Sequence, residues 1–139
     1  MTDAERRKRA RLRAAAAEAA CAEYLRRKGY TVLDKNYFCR GGELDLVAEL
    51  NTGGLLSKRL VSLRRGYTVF VEVKYRSTDY AGRPLEAVTE RKKERIRRAA
   101  AIWLVQNEER ALQPRFDVME VTDAPGGGFL INHIENAFE

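Results

Sequence analysis

Alanine, leucine and arginine dominate the first thirty residues, and their spacing predicts one long helix over Thr2 to Lys28. Thr2 can cap it, Asp3 and Glu5 suit its positive end, and Gly29 supplies the stop. Leu12, Ala15, Ala19, Ala22 and Leu25 form its expected apolar stripe. Glu18 shares that face with Ala15, Ala22 and Leu25, which aims a carboxylate toward the interior. From Tyr30 the period changes. Tyr30 to Phe38 reads as a strand and Cys39-Arg40-Gly41-Gly42 as a turn, so Glu43 to Leu50 should return as the hairpin partner. Simple alternation puts Leu44, Leu46, Ala48 and Leu50 on one face, and Glu43, Asp45, Val47 and Glu49 on the other.

Asn51-Thr52-Gly53-Gly54 breaks the pattern. Leu55 to Arg65 has no clean period, so residues 51–66 read as an inserted hairpin or loop, with a short helix as the alternative. Tyr67 to Tyr75 is the clearest strand: Val69, Val71, Val73 and Tyr75 alternate with Phe70, Glu72, Lys74 and Arg76. Ser77 to Pro84 is a loop. Thr89 then caps a helix to about Asn107, with Ile96, Ala99, Ala100, Trp103 and Leu104 on one face. Arg115 to Thr122 and Phe129 to Ile134 complete the set around a Pro125-Gly126-Gly127-Gly128 turn. The order αβββαββ implies an α/β fold, a mixed five-stranded sheet with flanking helices. At 139 residues the chain is one domain. Residues 1–13 are a basic extension of its first helix.

Charge sharpens this picture. Lys and Arg number 26 against 20 acids, a net +6, which favours anionic partners. Residues 6–13, 58–65 and 91–98 carry 16 of those cations, as expected of a surface that reads a phosphate backbone. No apolar run is long enough to cross a membrane, and Glu18 interrupts what would otherwise resemble a signal peptide. Cys21, Cys39 and a single histidine cannot complete a disulfide framework or a standard structural zinc site. The thiols read as reduced, in a cytoplasmic protein. His133 lies in an alternating segment and reads as a strand or turn residue.

The informative charges are acids where a core should be. Asp45 lies within Leu44-Asp45-Leu46 and Glu72 within Phe70-Val71-Glu72-Val73-Lys74. A carboxylate in an apolar strand is costly unless its charge is compensated, and two held close repel. A hard divalent ion such as Mg²⁺ resolves that conflict. Lys74 leaves the strand on the same face as Glu72, where it could orient an attacking water or offset charge on a phosphate. A structural salt-bridge network is the alternative, but buried ion pairs are poor stabilisers. Glu90-Arg91-Lys92 repeats the E-x-K spacing on a helix, where those side chains diverge. Glu43, on the Asp45 face, is a candidate to support the site.

At these residues the chain resembles a known family. Gly42-Glu43-Leu44-Asp45-Leu46-Val47 with Phe70-Val71-Glu72-Val73-Lys74-Tyr75-Arg76 is similar to the YraN family. That family is itself related to restriction endonucleases and archaeal Holliday junction resolvases of the PD-(D/E)xK superfamily. The likeness extends to Glu18-Ala19-Ala20-Cys21-Ala22-Glu23-Tyr24-Leu25, to Gly29-Tyr30, to Ala87-Val88 with Lys92, to Arg115-Phe116-Asp117-Val118, and to His133-Ile134 with Asn136-Ala137-Phe138. The resemblance implies a restriction-endonuclease-like fold and a Mg²⁺- or Mn²⁺-dependent endonuclease acting on DNA rather than RNA, including branched or junction DNA. A non-catalytic nucleic-acid-binding module is the alternative. The resemblance makes Asp45, Glu72 and Glu18 metal ligands with the Val73 carbonyl, and Lys74 the catalytic lysine. Arg76, Lys92, Lys93 and Arg95 become candidates for phosphate contacts. Resolvases of this kind work as dimers, so a homodimer is expected. Asp117 is expected to be structural, and Trp103 and Tyr24 to be core residues. Two features depart from the family pattern: Ala17 stands where glycine usually precedes the helix acid, and the segment between Asp45 and Glu72 is longer than usual.

Overall fold

The computed structural model describes residues 1–54, 65–77 and 88–139. Its elements are α1 (Asp3–Arg27), β1 (Thr31–Cys39), β2 (Gly42–Asn51), β3 (Gly66–Arg76), α2 (Glu90–Gln106), β4 (Gln113–Asp123) and β5 (Phe129–Phe138). The expected order αβββαββ is therefore observed. The strands lie side by side in chain order, antiparallel except for the parallel β3–β4 pair. That pair requires a crossover, which α2 supplies. Most of the Leu55–Arg65 insertion and of the Ser77–Pro84 loop lies outside the described residues.

Both helices start where their side chains say they should. Thr2 accepts from the Glu5 amide while Glu5 accepts from the Thr2 amide, a complete capping box. Thr89 accepts from the Lys92 amide. The helices cover opposite faces of the sheet. On one face Ala17, Cys21, Ala22 and Leu25 of α1 pack on Leu46, Ala48, Val69, Val71, Met119 and Val121. On the other, Ile96, Ala99, Ala100 and Trp103 of α2 pack on Val47, Phe70 and Val118. Trp103 is buried and its indole donates to Asp34 at 2.7 Å. Tyr24 packs at the edge of the α1 layer.

Two expected faces differ in detail. Leu12 is 63% exposed, and Ala15 and Ala19 face solvent. The buried stripe of α1 instead passes through Ala17, Cys21 and Leu25. With alanine at most positions the periodicity carried little contrast, and the larger Cys21 and Leu25 set the rotation. The second difference is in β2. Leu46, Ala48 and Leu50 pack on the α1 side as expected, but Leu44 is buried on the α2 side. The alternation slips at Asp45. The slip falls where the β2–β3 ladder, which runs from Asn51↔Gly66 to Leu46↔Val71, goes no further.

Candidate active site

Where the β2–β3 ladder ends, Asp45 takes its place. Its Oδ2 accepts the Val73 amide at 2.8 Å, so a side chain replaces the backbone carbonyl that continued pairing would have supplied. This fixes the Asp45 carboxylate against β3, beside Glu72. The two acids share a hydrogen bond. Glu72 is 8% exposed. Burial and the adjacent Asp45 push its carboxyl up to about 8, against the weaker pull of Lys92 and Lys74. Burial likewise raises Asp45, opposed by the Val73 amide and the bond from Glu72.

Other sequence candidates gather around this pair. Glu18, half-buried on α1, is raised by burial and by the charge of Asp45, while Asn36 hydrogen-bonds to it and opposes the rise. Lys92 reaches in from the first turn of α2, 3.7 Å from Glu72 Oε1 and 4.0 Å from Glu43 Oε1. Lys74 is half-buried, and by alternation shares the Glu72 face. Arg76 lies half-buried two residues further along β3. Arg95 is exposed on α2. Lys93 is turned away, bonded to Glu90 at 3.1 Å and lying over the Phe138 ring. Among the described residues no three acidic, histidine or cysteine side chains stand close enough together to hold an ion as they are. Asp45 and Glu72 are drawn together, and Glu18 approaches Asp45 from α1.

A second aspartate shows by contrast what is unusual here. Asp117 also accepts a neighbouring strand amide where pairing slips: its Oδ1 bonds the Asn136 N–H at 3.0 Å, beside a register shift between β4 and β5. But Asp117 is saturated. Arg115 donates to both its oxygens at 2.9 and 2.8 Å, and His133 Nε2 lies 2.7 Å from Oδ2. Arg115 also donates to the Tyr30 hydroxyl at 2.7 Å. Burial works against the Asp117 charge, yet the bonds from His133, Arg115 and the Asn136 amide hold its carboxyl below the usual range. Asp117 is a neutralised structural anion, as expected. Asp45 and Glu72 have each other, one amide and Lys92 at 3.7 Å. The bond from Arg115 to Tyr30 that completes this network was not legible in the sequence, because the two lie 85 residues apart.

Residues 17–121 match the family described as uncharacterised protein family UPF0102. The chain is 38% identical over 123 residues to a UPF0102 protein of Caldanaerobacter subterraneus, covering 87% of this chain and 89% of the relative. A UPF0102 protein of Geobacter sulfurreducens is 41% identical over 119 residues, covering 85% and 81%. One from Nocardia farcinica is 38% identical over 122 residues, covering 87% and 84%. The matched region contains Glu18, Asp45, Glu72, Lys74 and Lys92, and ends before β5.

Proposed function

The chain belongs to the UPF0102 family, and from that premise we propose that it is a Mg²⁺- or Mn²⁺-dependent endonuclease that hydrolyses phosphodiester bonds in DNA. One observation carries the reading: two carboxyls, desolvated and hydrogen-bonded to each other at the end of a strand ladder, with Lys92 beside them. Such a pair retains a proton chiefly because it is buried and next because each charge repels the other, with Lys92 opposing only in part. The donors are all hard oxygens, which suit Mg²⁺ or Mn²⁺ better than a softer metal. Asp45 and Glu72, with Glu18 and the Val73 carbonyl, would hold the ion.

When bound, the metal supplies Lewis-acid stabilisation of a phosphate oxygen and lowers the pKa of water. The chain's own residues do the rest. The Val73 amide fixes the Asp45 carboxylate. Lys92 offsets the negative charge of Glu72 and Glu43. Lys74 orients the attacking water from the Glu72 face and offsets the charge that develops on the phosphate. Arg76, Lys92 and Arg95 hold the backbone on either side; Lys93, already engaged by Glu90, contributes less.

Junction, flap, duplex and single-stranded DNA should be incubated with the protein in Mg²⁺ or Mn²⁺, alongside Asp45→Asn and Lys74→Ala. Cleavage is expected from the wild type and to fall at least about 100-fold in each variant. Equal cleavage by all three would overturn the proposal. Salt-sensitive binding with no cleavage by any of them would identify a binding module instead.

A further inference from the structure

A cleft of about 620 Å³ lies between the β1–β2 turn and the exposed side of α2. Arg40 from the turn and Arg91, Arg95 and Arg98 from α2 line it. Positions 91, 95 and 98 fall on one helical face, along about 10 Å of helix axis. Glu94 engages Arg98 at 2.8 Å, while Arg40, Arg91 and Arg95 have no acidic partner among the described residues. The cleft is held by close backbone contact. A Cβ on Gly41 would sit 3.0 Å from Arg98 Cβ, and one on Gly42 would sit 3.0 Å from the Arg95 carbonyl oxygen. Phe38 lines the same cleft with 71% of its surface exposed, an unusual position for a phenylalanine. Glu43 lines it too and lies 4.0 Å from Lys92, which lies 3.7 Å from Glu72. The cleft therefore adjoins the carboxylate corner.

Resting on the nuclease reading of that corner, we infer that this cleft binds a single-stranded DNA segment, its phosphates on the arginines and an unpaired base stacked on Phe38. Arg91 and Arg95, one helical turn apart, and Arg40 across the cleft are unneutralised cations that fit a run of phosphates rather than one. An exposed aromatic ring among them selects further, because only an unpaired base offers a free π-face. In a duplex those faces are stacked on each other. The substrate of the adjoining corner is then DNA with an unpaired strand at the cleavage point, such as a flap or a splayed end.

Fluorescence anisotropy in EDTA tests the cleft without cleavage, using the full chain with a labelled single strand and a duplex of equal length. Tighter binding of the single strand is expected. Phe38→Ala should weaken single-strand binding about tenfold and leave duplex binding unchanged. The double variant Arg91→Ala/Arg95→Ala should reduce the slope of log K against log salt by about 1.4. All these positions are exposed, and circular dichroism checks that each variant is folded. Equal affinity for both DNAs, or no effect of Phe38→Ala, would overturn the inference whether or not the protein cleaves DNA. Single-strand preference without metal-dependent cleavage would leave the cleft standing and remove the nuclease reading alone.

Discussion

Replacing Glu72 by glutamine removes a titration without removing the shape. In the metal-free protein Glu72 keeps its proton to about pH 8, against an ordinary value of 4.5, chiefly because it is buried and next because Asp45 lies beside it. The unfolded chain releases that proton near 4.5. Between those values the native state binds more protons than the unfolded state, so stability falls as pH rises. The group's contribution is full below about pH 4.5 and lost above about pH 8. At ~1.36 kcal/mol per pH unit the upper limit is about 5 kcal/mol. Relaxation and sharing with Asp45 reduce this to about 2–4 kcal/mol. Glutamine stays neutral at every pH and can still donate to Asp45. In EDTA, Glu72→Gln should match wild type near pH 4.5 and exceed it by about 2–4 kcal/mol at pH 9. At several degrees per kcal/mol, that is a rise in Tm of about 10 °C. Thermal unfolding by circular dichroism across pH 4.5–9 provides the comparison. Parallel curves for the two proteins would refute the account of the pair.

Other substitutions probe neighbouring parts of the same structure. Lys92→Met removes a cation 3.7 Å from Glu72, so the Glu72 carboxyl should titrate still higher, as read from its side-chain NMR shift; an unchanged midpoint would show that Lys92 does not act on the pair. Asp117→Asn leaves the buried Arg115 guanidinium without its anion and should cost about 3–5 kcal/mol in urea unfolding. A loss below about 1 kcal/mol would contradict its structural role. Gly42→Ala places a methyl 3.0 Å from the Arg95 carbonyl at φ +148°. It should destabilise by about 1–2 kcal/mol and weaken DNA binding by lifting the turn from α2.

The parts of the fold legible in the sequence were those governed by local chemistry. Thr2 and Thr89 capped the helices they precede, and Val69-Phe70-Val71 in β3 formed the continuous apolar run expected of a strand buried on both sides. The Asp45–Glu72 pair was legible because an acid in an apolar strand needs a partner whatever the fold. What escaped depended on where pairing stops. Leu44 and Leu46 are two residues apart, yet they enter opposite layers, at the point where the β2–β3 ladder ends with Leu46↔Val71. Local alternation contains no information about that end. The same limit hid the Asn136 amide bonded to Asp117, which follows from a register slip between strands. Lys92 was readable as one of several helix cations, but its contact with Glu72 depends on how α2 crosses the sheet. Arg13, counted in the N-terminal basic run, is bonded to Asp123 and lies over Phe129, anchoring α1 to the β4–β5 hairpin.

The claim that the paired carboxyls form a metal centre is tested most directly by calorimetric titration of Mn²⁺ at pH 7, in two buffers of different ionisation enthalpy. Glu72 holds its proton to about pH 8 in the metal-free protein, so an ion taking that carboxylate must displace it. The account predicts saturable binding with release of about one proton per ion, both lost in Asp45→Asn. Mn²⁺ binding that is unchanged in Asp45→Asn, or that releases no proton, would contradict it.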